Sequence, residues 1–320
     1  MANRAGKTYI ITGGVSGLGL ATAQLLYSQG ANVSLFDRND DLANDVIPAN
    51  FTDASRVLFC KVDITDEGNV KSAVADTVAR FGSLHGVVNS AGIGSAMTTV
   101  NGKGKTHSSK VFDYVVKINL MGSFYCAAHG AAAMREAGHK DGACERWEWK
   151  GWGGVAWGGG LSLTPVYFSF PSLNSMCFRL CLCFFLKSPS LLLVSRPSSS
   201  SLLKTGVIVN VSSVAGIEGQ KGQLAYSASK GAIIGMTLPM ARDLSRFGIR
   251  VMTIAPGIME TPLMMNTPQK VRDGLMTGVA GPKRFGDSSE FAGLVAHIID
   301  NGYLNGEVIR LDGGIRFPNM

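Results

Sequence analysis

Thr8-Tyr9-Ile10-Ile11-Thr12-Gly13-Gly14-Val15-Ser16-Gly17-Leu18-Gly19 is the stretch whose reading decides the fold. A short apolar run, 8–11, ends in a glycine loop, and over 18–29 the apolar residues take helical spacing. A strand that passes through glycines into a helix start is the first half of a βαβ unit. The glycines permit the tight turn, and they let a pyrophosphate approach the backbone N–H groups that a helix N-terminus leaves unpaired. Glycine also collects in ordinary turns, so the loop gains its meaning from its position.

Downstream the alternation repeats. A second strand, 32–36, stops at Asp37, and a third, 56–62, stops at Asp63. Thr65 or Asp66 can cap a helix running to 81. A fourth strand, 86–89, leads into Ser90-Ala91-Gly92, and a long helix is expected over 109–137. Then come a strand at 207–211, a helix at 226–246, a strand at 250–254, a helix at 287–300 and a last strand at 307–311. Strands alternating with helices mean a parallel sheet covered on both faces: an α/β, Rossmann-like, doubly wound domain.

One segment breaks the pattern. Residues 144–204 hold all four tryptophans, Trp147, Trp149, Trp152 and Trp157, then a glycine cluster, an apolar run and a serine-rich end. Neither period persists there. Arg179, Lys187 and Pro189 leave the apolar run too short to span a bilayer. A structureless stretch of this length inside a compact domain needs a special explanation. The chain is therefore read as one nucleotide-binding domain, 1–143 with 205–320, carrying a long irregular insertion at 144–204. A translated intron is the preferred account of the insertion, and a lineage-specific loop is the other.

Composition narrows the function. The formal charge of +7 invites a nucleic-acid or acidic-membrane partner. Six Lys/Arg against two Asp/Glu lie within 144–204, however, and the rest shows no basic run, so no nucleic acid is expected. The six cysteines lack zinc-site spacing and the five histidines stand apart, so no metal is expected. The N-terminus lacks the plan of a secretory signal, which leaves a mitochondrial or cytoplasmic location and excludes secretion.

Asp37, at the end of the second strand, supplies the second cofactor signal. A carboxylate there accepts hydrogen bonds from the ribose 2′-hydroxyl of NAD and repels the 2′-phosphate of NADP. Arg38 beside it is the one feature that would suit the phosphate. NAD is the expected cofactor.

The reacting groups are read from Ser213, Tyr226 and Lys230. Tyr226 and Lys230 are four apart on a predicted helix and project from one face. A phenol titrates near pH 10, too high for acid–base work at neutral pH, and a nearby ammonium lowers that value. Ser213, just past the fifth strand, is placed to hold a substrate oxygen while Tyr226 gives or takes its proton. A Tyr-x-x-x-Lys pair alone arises often by chance; with the glycine loop upstream, chance explains it poorly.

Taken in order, Thr12-Gly-x-x-x-Gly-x-Gly, Asn89-Ser90-Ala91-Gly92, Asn119, Ser213, Tyr226-x-x-x-Lys230 and Pro256-Gly257 resemble the motif set of the short-chain dehydrogenases, over nearly all the chain outside the insertion. Ser90 departs from that family's usual second asparagine. The resemblance implies that Asn119 holds a water linking Lys230 to solvent, that Lys230 contacts the nicotinamide ribose, and that the turn from Pro256 to Thr261 borders the nicotinamide. A narrower likeness, in 119–122, 231–243, 250–257, 305–313 and the polar loop 101–108, is to the subgroup of type-2 3-hydroxyacyl-CoA dehydrogenases, which is also the type-10 17β-hydroxysteroid dehydrogenase group.

That likeness implies a cofactor site of Gly13, Ser16, Gly17, Leu18, Gly19, Asp37, Asp63, Ile64, Asn89, Ser90, Ala91, Gly92, Tyr226, Lys230, Pro256, Gly257, Met259 and Thr261, with Asp63 and Ile64 near the adenine. Catalysis falls to Ser213, Tyr226, Lys230 and Asn119, and Gln223 joins Ser213 toward the substrate. The implied reaction is oxidation of a 3-hydroxyacyl-CoA, with steroid oxidation or 3-oxoacyl reduction as neighbouring activities. The implied assembly is a homotetramer using the helices at 109–137 and 226–246. A different reading of the same residues is an NAD-binding interaction subunit without catalysis.

Overall fold

The computed structural model describes residues 4–140 and 206–316. Their apolar runs become the strands β1 (Thr8–Thr12), β2 (Asn32–Asp37), β3 (Val57–Lys61), β4 (Gly86–Asn89), β5 (Val207–Val211), β6 (Arg250–Pro256) and β7 (Val308–Leu311). Every pair is parallel, in the order β3-β2-β1-β4-β5-β6-β7. The order reverses between β1 and β4, and the crevice outside the strand ends at that point is where α/β sheets hold ligands.

The helices are α1 (Gly17–Ser28), α2 (Asp40–Asn50), α3 (Glu67–Phe81), α4 (Ser109–Val116), α5 (Ser123–Lys140), α6 (Leu224–Ser245), α7 (Pro262–Met265), α8 (Gln269–Thr277) and α9 (Ser288–Asp300). On one face, Leu26 of α1 and Phe291, Val295 and Ile298 of α9 pack on Ile11, Val33, Leu35 and Val209. On the other, Val70 and Val74 of α3 and Cys126 and Met134 of α5 pack on Ile10, Phe36, Val87 and Ile208. Two caps fix helix starts, the first at a residue the sequence offers for it. Asp66 accepts the Asn69 N–H at 3.1 Å, and Asp287 and Glu290 form a reciprocal capping box. No helix among the described residues is long and apolar enough to cross a membrane.

The strand register sets Ile10, Val87, Ile208 and Val251 in one rung across the sheet. Two residues further along, the rung on the same face is Thr12, Asn89, Asn210 and Thr253, all buried. Burying an aliphatic side chain stabilises by about 1.5–3 kcal/mol. The apolar rungs thus carry the sheet, and the polar rung marks where it turns into a site.

Three differences from expectation stand out. The helix expected over 109–137 is broken by a π-helical turn, Lys117–Gly122, between α4 and α5. At that turn Gly122 approaches Ile64 so closely that a Cβ would lie 2.6 Å from Cδ1. Helix α2 was not expected, although Asn39 caps it by accepting the Leu42 N–H at 3.0 Å and Asp40 and Asp41 fill its first turn. Pro48 inside it hides the pattern. Helices α7 and α8 were likewise not expected. The insertion read at 144–204 lies outside the described residues.

Two glycines test the packing. A Cβ on Gly19 would stand 2.2 Å from the Gly13 carbonyl oxygen, whereas Gly293, inside α9, has nothing within 4 Å. Gly293→Ala should raise stability by up to about 1 kcal/mol through helix propensity. Gly19→Ala should lower the melting temperature and weaken dinucleotide binding together. Thermal melts of both variants check this, and an undiminished Gly19→Ala protein would contradict the close approach of α1 to the loop.

Candidate active site

The glycine loop forms a cradle from which side chains are excluded. Gly13 (φ +65°) and Gly17 (φ +49°) occupy the left-handed region, and a Cβ on Gly13 would meet Ala91 Cα at 3.1 Å. The Gly13 N–H is held by the Phe36 carbonyl at 2.8 Å, and Thr12 Oγ1 accepts the Ala91 N–H at 3.0 Å, so loop and following turn are locked together. Ser16 stands at the N-cap of α1 with extended backbone and makes no side-chain cap. First-turn N–H groups are therefore left for an anion. A cleft of about 850 Å³ opens from this cradle, and every expected site residue except Asn89 and Asn119 lines it.

At one end of the cleft, Asp37 closes β2 and accepts the Asn39 N–H at 3.1 Å. The Arg38 guanidinium reaches across to the Tyr114 hydroxyl at 3.5 Å. The Asp63 carboxylate accepts the Thr65 N–H at 2.9 Å and its hydroxyl at 2.8 Å; these bonds, the backbone one first, hold it below the usual carboxylate range. The Ser90 hydroxyl is buried without a partner at the cleft wall, an open position for a ligand's polar group. A cradle shut to side chains, uncapped N–H groups, a strand-end carboxylate and an orphan hydroxyl together fit a dinucleotide.

At the other end, Ser213 caps the short turn Val214–Gly216, its Oγ accepting the Ala215 N–H at 3.1 Å. Lys230 of α6 is 5% exposed and donates from Nζ to the Val211 carbonyl at 2.8 Å. Its Nζ lies 5.8 Å from the centre of the Tyr226 ring. Burial lowers the Lys230 pKa from 10.5 to about 8. The phenol departs from expectation: burial raises the Tyr226 pKa, with the Ser213 hydroxyl pulling it down. An ammonium one helical turn away favours the phenolate, yet in the folded chain burial sets the direction and the Ser213 hydroxyl is the group opposing it, so Tyr226 stands as a neutral phenol.

Asn119 does not face the cleft. It is wholly buried in the π turn, where its side chain accepts the Ile93 N–H at 2.8 Å and donates to the Ile93 carbonyl and to Ser229 Oγ, both at 3.0 Å. Asn89 also lies beneath the cleft, donating to Asn210 Oδ1 at 2.8 Å and the Ser123 carbonyl at 3.1 Å. Gly92 explains how the layers communicate: a Cβ there would stand 3.1 Å from Asn119 Oδ1 and 3.4 Å from Lys230 Nζ. Sequence reasoning missed Ser95 and Gln220, whereas the wall formed by Met264, Thr267, Val271 and Leu275 falls within 261–285, where the sequence points to a substrate pocket without giving its shape. Met264 comes from α7, Val271 and Leu275 from α8, and Thr267 from the turn between them; the short helical spacing there was the available signal.

Comparison with known proteins gives consistent matches. A family model described as short chain dehydrogenase matches residues 7–143 and 187–272. Human 3-hydroxyacyl-CoA dehydrogenase type-2 is 39% identical over 313 residues, covering 97% of this chain and 95% of that protein. Ipsdienol dehydrogenase of Ips pini is 30% identical over 313 residues, covering 97% of each. Among solved structures, 3-hydroxyacyl-CoA dehydrogenase type-2 from Mycobacterium avium superposes with a TM-score of 0.72 at 28% identity, covering 98% of each chain.

The depressed Lys230 pKa fixes the sign of a stability effect. Between about pH 8 and 10.5 the unfolded chain holds this proton and the folded one has released it, so stability rises with pH across that window. Below it the buried ammonium costs on the order of 3 kcal/mol. Lys230→Met should thus unfold at higher urea than the parent at neutral pH and lose the advantage by about pH 10. Equal midpoints at neutral pH would show that the ammonium is not strained by burial.

Proposed function

Because the chain belongs to the short-chain dehydrogenase family and is an oxidoreductase acting on CH–OH, we propose that it is an NAD-dependent dehydrogenase of secondary alcohols that converts a 3-hydroxyacyl-CoA to the 3-oxoacyl-CoA. The observation that carries this reading is the meeting of Ser213, Tyr226 and Lys230 with the glycine cradle in one cleft. Asp37 at the cleft, with Arg38 drawn toward Tyr114, supports NAD over its phosphorylated form. The apolar wall of Met264, Val271 and Leu275 supports an acyl chain.

The glycine loop, Ser16, Asp37, Asp63, Ile64, Ser90, Met259 and Thr261 would hold the dinucleotide. When bound, its nicotinamide supplies the acceptor for hydride. The Ser213 hydroxyl orients the substrate oxygen, and Tyr226 Oη exchanges the proton with it: as phenolate it accepts the alcohol's proton in oxidation, as phenol it donates in reduction. Lys230 contributes positive charge beside the phenol and a donor toward the cofactor ribose, and Asn119 acts from behind through its backbone carbonyl. Relatives named 3-hydroxyacyl-CoA dehydrogenase type-2 support the substrate class.

Exposed Tyr114, Phe124, Leu224 and Leu238 on α4, α5 and α6 support a homotetramer built on those helices. The family match breaks at 143 and resumes at 187, which supports an insertion into one domain over 144–186, while 187–204 falls within the match.

Tyr226→Phe should lower turnover by about 10²–10⁴-fold while NAD still binds. In the parent enzyme the raised phenol pKa should make alcohol oxidation climb with pH while carbonyl reduction declines. Near-normal turnover of the phenylalanine variant in either direction would defeat the mechanism. For the cofactor, Asp37→Ala should raise the NAD KM and narrow the preference over NADP by about tenfold, the loss of one charge-assisted hydrogen bond. A preference that did not move would place the discrimination elsewhere.

A further inference from the structure

We propose that Ser123 and Ser229, two buried hydroxyls that never reach the cleft, are positioning residues that together hold Asn119 in register with the helix carrying Tyr226 and Lys230. The inference rests on the proposed function, because it concerns what those groups require of their surroundings.

The bonds form a continuous chain. Asn89 Nδ2 donates to the Ser123 carbonyl at 3.1 Å, and Ser123 Oγ donates to the Asn119 carbonyl at 2.7 Å. Asn119 Nδ2 donates to Ser229 Oγ at 3.0 Å, and Ser229 Oγ donates to the Tyr226 carbonyl at 2.7 Å. Asn89, Ser123, Asn119 and Ser229 are each 3% exposed or less. The end of β4 is thereby tied through the π turn to the first turn of α6 by uncharged groups bonded directly to one another.

Each hydroxyl sits where a helix gains little from it. A serine inside a helix that bonds back to a preceding carbonyl competes with the backbone and slightly destabilises the helix. Ser229 does this at the residue before Lys230, and its oxygen is the only acceptor that Asn119 Nδ2 finds on α6 among the described residues. Ser123 does it at the end of the π turn, where its own N–H turns back to the Leu120 carbonyl. A carbonyl oxygen carries two lone pairs. Ser123 takes one on Asn119, which aims the other. Replacing either hydroxyl leaves Asn119 held by Ile93 but with one prop fewer toward α5 or α6, and at Gly92, where Asn119 Oδ1 and Lys230 Nζ both lie against the missing side chain, a change in the amide's position is felt by the ammonium.

The experiment is a double-mutant cycle on the full chain with NAD and a 3-hydroxyacyl-CoA. Ser123→Ala and Ser229→Ala should each lower kcat about tenfold, the loss of one buried hydrogen bond, with the cofactor KM nearly unmoved. Because both props act on one residue, the double variant should fall no more than about threefold below the worse single variant. Ser123→Thr keeps the hydroxyl and should restore kcat. Unchanged kcat, losses confined to KM, multiplicative losses in the double variant, or a threonine that behaves like alanine would each overturn the inference. Should Ser229→Ala fail to fold, the alanine and threonine variants at 123 decide it alone. Tyr226→Phe is run beside them. If it stays active, the proposed function falls and takes this inference with it; if it is dead while the serine variants are normal, only the inference falls.

Discussion

An ammonium taken out of water, with one neutral acceptor among the described residues, is the constraint on which this site depends. Lys230 spends one of its three donors on the Val211 carbonyl, and burial alone accounts for its lowered pKa, with no carboxylate acting against it. Nothing in folding favours such a group, since an unpaired buried charge is among the more costly things a core can hold. The surroundings nevertheless converge on it. Ser212 bonds the Lys230 carbonyl at 2.7 Å, Gly216 lies against its backbone, and Gly92 withholds a side chain from its Nζ. A strained cation so firmly placed in a cleft is what proton-transfer chemistry requires.

The polar rung explains how the sheet supports that cation. On the face that carries α3 and α5, four strands present one aliphatic rung, Ile10, Val87, Ile208 and Val251, and all four are polar two residues further on. Each polar side chain then reaches upward or sideways: Thr12 to the turn after β4, Asn89 to α5, and Thr253 to Thr237 of α6 at 2.6 Å. Asn89 Oδ1 and Asn210 Nδ2 are left as a complementary orphan acceptor and donor in the same layer. The rung trades hydrophobic stabilisation for fixed directions, which is how a parallel sheet can aim the helices above its strand ends.

Much of this was legible in the chain, for reasons that differ residue by residue. Central strands buried on both faces read as short aliphatic runs, and the half-buried edge strands β3 and β7 keep enough apolar residues that all seven appear near their observed bounds. The glycine loop, Asp37 and the Tyr226–Lys230 spacing are local patterns, and they fall in one cleft because the sheet order brings them there. The π turn was not legible: residues 109–137 keep helical spacing throughout, and the widening depends on Gly122 meeting Ile64 from another element. The direction of the phenol's shift was hidden for the same reason. Spacing reveals which charge stands one turn away, whereas desolvation is set by walls drawn from distant segments. Asn119 was recognised as a site residue, but its clamp on Ile93 and Ser229 exists only in three dimensions.

The two ends of the cleft are built to different standards, and the difference bears on how substrate choice relates to chemistry. The cofactor cradle and reacting groups stand on strand ends and on helices anchored by wholly buried residues such as Leu26, Ile233 and Ile254. The wall proposed to meet substrate comes from α7, α8 and the turn between them; α8 contributes no buried residue, and Met265 and Val271 are nearly half exposed. An element with few buried contacts opens at lower free energy than the core and tolerates substitution with little effect on global stability. Changes at Met264, Thr267, Val271 or Leu275 can therefore reshape the pocket without disturbing Lys230 or the polar rung. On the proposed function, the groups that move the proton and the groups that choose the alcohol stand on different elements, and relatives that share the family are named for a 3-hydroxyacyl-CoA and for ipsdienol.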